Sequence, residues 1–188
     1  MVVFDATMML LFMRPNVNAP PDPKTGLPVE NAEARISALI EDLEKQKIKI
    51  IIPTPALSEL LVRAGEDTQS LISIIQKNPV FRITPFDTLA AIEAAVMTRQ
   101  AIDSGNKRDG ADEITWAKIK YDWQIIAIAR VHRANAIYSD DNHIHSHCNA
   151  TQIRVIRLAD IPVPQKKIQN GEFDFEKQKD NVIESTKL

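Results

Sequence analysis

Apolar residues along this chain fall into two alternating patterns, separated by polar, proline-marked breaks. Short solid runs read as buried strands, and runs spaced at three and four residues read as helices with one buried face. Val2-Val3-Phe4 is a first strand, followed by a short helix over residues 7–13. Residues 14–30 carry Pro15, Pro20, Pro21, Pro23 and Pro28 and cannot be helical. A connection that long without its own structure is either functional or loose.

From Asn31, Ile36, Leu39, Ile40 and Leu43 mark an amphipathic helix ending near Gln46-Lys47. Ile48–Ile52 is β-branched and stopped by Pro53, a second strand. A helix then starts with Pro55 in its first turn, buries Leu57, Leu60 and Leu61, and ends at Gly65. Residues 67–77 are a further helix, and Val80–Ile83 a third strand. Asp87 or Thr88 caps a helix running to about Ser104. Gly105–Asp112 is a polar loop with Lys107, Arg108 and Asp109. A helix from about Thr115 to His132, a strand at Ala136–Tyr138 and a last strand at Ile153–Ile156 complete the pattern.

Strands alternating with helices predict right-handed crossovers and an α/β fold, with a mainly parallel sheet covered on both faces. Sites in such folds gather outside the carboxyl ends of the strands. Asp5, Glu59 and Asp140-Asp141 all follow strands, so they are expected along one edge. Asp122 joins them only if the inner face of its helix looks toward that edge.

Composition narrows the class. The 188 residues suit one domain with extensions, expected as residues 1–161 plus a charged tail over 162–188. That tail holds five Lys and five acids, so it is expected to be flexible. The formal charge of −2 rules out a broad basic face, so contact with a polyanion has to be local and cation-assisted. The single Cys148 asks for no oxidising compartment, and no stretch approaches the ~18–20 apolar residues of a membrane span. The start lacks a basic n-region, and a cytoplasmic location is expected.

Each candidate has a structural alternative. Asp5 can cap the helix that follows it, although Thr7 could cap equally well and free Asp5 for other work. Glu59 lies in the first turns of a helix, where negative charge is favoured. It interrupts Leu57 and Leu60, which puts it near a buried stripe, and Arg63 four residues on is a ready partner. Asp122 shares a helical stripe with Ile119, Ile126 and Ala129, so it faces where apolar residues face; Lys118 is the partner that would hold it outside. Ser139-Asp140-Asp141 is either an Asx-rich turn or an oxygen cluster for a cation. His143, His145, His147 and Cys148 have the types of zinc ligands, but their spacing fans them around a short helix. No Gly-rich phosphate loop, nucleophile elbow or dinucleotide fingerprint is present.

The segments VVFDAT, IIPTPALSELL, KIKYDWQIIAIA and AIYSDDNHI together resemble the ordered motifs of the PIN-domain family, and are similar to those of VapC-type ribonuclease toxins and related bacterial PIN proteins. The resemblance covers about residues 1–160. It implies a three-layer α/β/α fold and Mg²⁺- or Mn²⁺-dependent cleavage of RNA. Residue by residue, it implies that Asp5, Glu59, Asp122 and Asp141 are the catalytic and metal-binding acids. Asp140, in the permissive middle place of Ser139-x-Asp141, is a second candidate ligand. Thr7, Arg63 and Ser139 are candidate substrate contacts. An antitoxin partner and a homodimer are implied as well. The Pro-rich segment is longer than in compact toxins, and the tail has no counterpart there. Two alternatives stay open: a PIN fold kept as a non-catalytic binding or scaffold module, and a flap nuclease, which would need more acids and a larger basic arch.

Overall fold

The computed structural model describes residues 1–14, 17–103, 113–148, 151 and 153–164, with backbone alone over 113–120. Its strands are β1 (Val2–Phe4), β2 (Ile50–Pro53), β3 (Phe81–Thr84), β4 (Ala136–Tyr138) and β5 (Arg154–Ile156). Its helices are α1 (Ala6–Met13), α2 (Ala32–Lys45), α3 (Thr54–Ala64), α4 (Thr68–Lys77), α5 (Thr88–Asp103), α6 (Glu113–Val131) and α7 (Asn142–Cys148). The expected Gly105–Asp112 loop, and the tail beyond residue 164, lie outside the described residues.

All strand pairings are parallel, in the order β3-β2-β1-β4-β5. Because β-strand side chains alternate, each central strand feeds two cores. Val2, Phe4, Ile50, Ile52, Ala136 and Tyr138 pack with α1, α2 and Leu71 and Ile75 of α4. Val3, Ile51 and Ile137 pack on the other face, against α5, α6 and α7. This is the three-layer α/β/α arrangement expected from the pattern. The edge strands carry exposed Arg82 and Arg154, charges that discourage further strand addition.

The chain runs outward from β1 through β2 to β3, then returns to the other side of β1 as β4. The strand order therefore reverses between β1 and β4, and a crevice forms beyond their carboxyl ends. Phe4 is level with Tyr138 across that pair, so the two acidic turns that follow, at Asp5 and at Ser139-Asp140-Asp141, are adjacent by register alone.

The Pro-rich connection is irregular but not loose throughout. A turn at Asp22, whose carbonyl accepts from Thr25 and Gly26, brings Pro21 against Pro28, and Val29 is buried.

Candidate functional site

Beyond the β1 and β4 ends lies a cleft of about 710 Å³, lined by Asp5, Glu59, Asp122, Asp140 and Asp141. All five acids singled out in the sequence therefore face one space. Asp5 and Asp122 are only 6% and 5% exposed. Asp122 reaches the cleft because the adjoining Ile125–Ala129 turns of α6 are buried against the sheet. Its surroundings are thus apolar on one side and acidic on the other. The side chain of Lys118, its alternative partner, lies outside the described residues.

Asp5 does two jobs. Its Oδ1 accepts from the Met8 amide at 2.9 Å and caps α1. Its Oδ2 accepts from Ser139 Oγ at 2.5 Å. The expectation that Thr7 could take the cap and free Asp5 is corrected: Thr7 sits inside α1 and lines the cleft. Burial pushes the Asp5 carboxyl up to about 7, the Ser139 and Met8 hydrogen bonds pull it back, and the charges of Asp140 and Glu59 push it further up.

Ser139 lies behind the acidic turn. It is 0% exposed and spends its hydroxyl on Asp5 while accepting from the Asp141 amide at 3.1 Å. It holds the acidic turn together and is not among the residues that line the cleft.

Glu59 differs from its expected setting. It is exposed, and Arg63 Nη2 stands 2.6 Å from its Oε1. The reason is helical phase: Pro55, Ser58, Glu59, Val62 and Arg63 form the cleft-facing stripe of α3, while Ala56, Leu60 and Ala64 point into the protein. Glu59 reaches the cleft from the solvent side.

The turn after β4 is braced from β5 and beyond. Arg157 donates to the Asp140 carbonyl and to Asn142 Oδ1, each at 2.8 Å, and the Leu158 amide donates to Asp140 Oδ1 at 3.3 Å. Asp140 Oδ2 is buried with no hydrogen-bond partner among the described residues. Burial pushes the Asp140 carboxyl up, opposed by the Leu158 N–H and the Arg157 and His145 charges. Asp141 Oδ1 accepts from the His143 amide at 2.8 Å, at the start of α7. Arg157 lies 17 residues from its partner, and no local spacing in the sequence marks it.

The histidines take separate roles. His145 Nε2 lies 3.0 Å from the Ser139 carbonyl, and His147 stacks on Trp123 with ring centroids 4.6 Å apart. Ile144 and Cys148 are the buried residues of α7.

The donor set suits a hard divalent cation: carboxylate oxygens only, two of them on buried residues, with mutual repulsion felt at Asp5. Yet no group of three or more His, Cys, Asp or Glu among the described residues is arranged to hold an ion. Asp5, Glu59, Asp140 and Asp141 each already serve a protein donor. The acids are gathered, and Asp140 Oδ2 is left without a hydrogen-bond partner among the described residues.

No protein-family model and no curated protein sequence matches the chain. Solved structures do share its fold. One is a chain of DNA-bound VapBC from Salmonella typhimurium, at TM-score 0.52 and 13% identity over 84% of this chain and 97% of that one. Another is a chain of VapBC2 from Rickettsia felis bound to promoter DNA, at TM-score 0.54 and 12% identity over 83% and 97%. This chain therefore has the fold of those VapBC chains, the three-layer PIN-type arrangement that its four motifs resemble.

Proposed function

We propose that this protein is a Mg²⁺- or Mn²⁺-dependent endoribonuclease, acting as the toxin of a toxin-antitoxin pair. The observation that carries this is the meeting of Asp5, Glu59, Asp122, Asp140 and Asp141 in one cleft at the strand-order reversal. When bound, a divalent cation supplies Lewis acidity at the phosphodiester and makes a water more acidic. Asp5 and Asp141 are its direct ligands in this reading, with Asp140 as a further oxygen donor. Glu59 and Asp122 bind directly or through water, and one of them takes the proton of the attacking water. Arg157 and Ser139 act through the acids by fixing the turn that carries them.

The two similar VapBC structures, both bound to DNA, support adding an antitoxin partner. Homodimerisation and a cytoplasmic location belong to the same proposal. No helix among the described residues is long and apolar enough to cross a membrane.

A second reading is favoured by one observation: the acids are held by protein donors and form no ready chelate among the described residues. On that reading the fold is a non-catalytic binding module. Defined RNAs incubated with Mn²⁺ and with EDTA, alongside thermal melting in a Mn²⁺ titration, separate the two. The nuclease gives metal-dependent cuts and a saturable rise in melting midpoint. Absence of both leaves the binding module.

A further inference from the structure

The cleft that holds the acids has an apolar mouth. Tyr121 is 51% exposed and Val62 81% exposed, and both line the same space as Asp5 and Asp122. Pro20, from the irregular connection before α2, lines it too. Single exposed apolar residues need no explanation. Here two exposed residues and the half-buried Pro20, from three separate parts of the chain, line the cleft that holds the five acids.

Their attachment is informative. Tyr121 directly precedes Asp122 on α6, and both line the cleft, so an exposed ring and a buried carboxylate share one opening. Val62 follows Glu59 by almost one turn on the cleft-facing stripe of α3. A ligand seated on the acids thus has a flat aromatic face and two aliphatic surfaces within the same opening. The charge balance adds a second reason. With a net charge of −2 and an acidic floor, the protein lacks the broad counterion-release attraction that usually holds a polyanion. Beyond local contacts at Arg63 and a bound cation, further affinity can come from the base, and every base offers a π face.

We propose that Tyr121, flanked by Val62 and Pro20, stacks an unpaired nucleobase beside the phosphodiester at the acidic floor. This rests on the nuclease reading for the position of the phosphodiester, and its test reads binding separately from cleavage.

The probe is a fluorescein-labelled single-stranded RNA of about ten nucleotides, compared with an abasic strand of equal length, in Ca²⁺ and followed by anisotropy. Wild type binds the base-bearing strand more tightly. Tyr121→Ala loses about tenfold or more of that preference and Tyr121→Phe keeps it, since stacking needs the ring and not the hydroxyl. Val62→Ser, a surface change, loses about threefold. Melting midpoints of all three variants match wild type. Equal affinity of wild type for the two strands, or of Tyr121→Ala and wild type for the base-bearing strand, overturns the stacking proposal. Base-dependent binding that Tyr121→Ala abolishes, without any Mn²⁺-dependent cleavage, upholds the stacking and overturns the nuclease reading instead. Failure of wild type to bind either strand overturns both.

Discussion

Ser139 Oγ donates to Asp5 Oδ2 at 2.5 Å across the β1–β4 pair, joining residues 134 positions apart at the carboxyl ends of two neighbouring strands. Both residues are buried, and Asp5 also caps α1 through its other oxygen. The same carboxylate therefore fixes a helix start, a strand end and one wall of the cleft.

Ser139→Ala removes that donor and leaves a buried carboxylate oxygen unsatisfied. The expected loss is about 1–3 kcal/mol of unfolding free energy, read from urea denaturation. Because the hydrogen bond favours the ionised form of Asp5, the loss is larger at pH 8 than at pH 5. A loss independent of pH would show that Asp5 is not the acceptor that matters.

The stability of EDTA-treated protein falls as pH rises from 4 toward 7. Asp5 ionises near its ordinary value of 3.8 in the unfolded chain but near 7 when folded. Between those values the folded state holds the extra proton, so its advantage is complete at low pH and disappears as pH passes the folded value. The limiting slope from this group is about 1.4 kcal/mol per pH unit. Asp5→Asn keeps a good helix cap and carries no charge, so its stability profile loses this contribution and keeps only the decline from Asp140, which burial also raises. Denaturation midpoints of the two proteins across the pH range make the comparison, and parallel profiles would contradict it.

Glu59→Gln separates an ordinary surface ion pair from a working acid. The Glu59–Arg63 pair is half-exposed, so its loss changes stability by less than about 0.5–1 kcal/mol. If Glu59 supplies a ligand or base, cleavage of RNA falls by about a hundredfold or more while the melting midpoint stays put. Unchanged cleavage assigns Glu59 to the surface pair alone.

Arg157→Lys tests the brace behind the acidic turn. The guanidinium reaches the Asp140 carbonyl and Asn142 together, which an ammonium does not reproduce. Mn²⁺ affinity or cleavage is expected to fall about 10–100-fold, as for other residues that orient ligands from behind. Titration calorimetry with Mn²⁺ reads this directly, and wild-type affinity would remove Arg157 from the site.

Much of this fold is legible along the chain because its signals are local. Ile48–Ile52 followed by Pro53 marks β2, and the spacing of Ile36, Ile40 and Leu43 marks the inner face of α2. Asp122 is legible for the same reason, since a carboxylate on an apolar stripe has to be buried or paired. What escaped is non-local. Nothing near Ser139 says that its hydroxyl turns inward to Asp5, and nothing near Arg157 points back to Asp140. For Glu59 the i,i+4 spacing to Arg63 marks the observed pair, while its flanks Leu57 and Leu60 hide that the helical turn carries it to the exposed side. Tyr121 and Val62 carry no local mark of a site, because only the fold brings them to one cleft.

The most direct test of the central claim is the rate of Mn²⁺-dependent RNA cleavage by Asp5→Asn beside wild type, both shown to be folded by circular dichroism. Wild type should cut with Mn²⁺ and stop in EDTA, while the folded variant should not cut at any Mn²⁺ concentration. Equal, Mn²⁺-dependent cutting by the two proteins would contradict a catalytic cation held at Asp5.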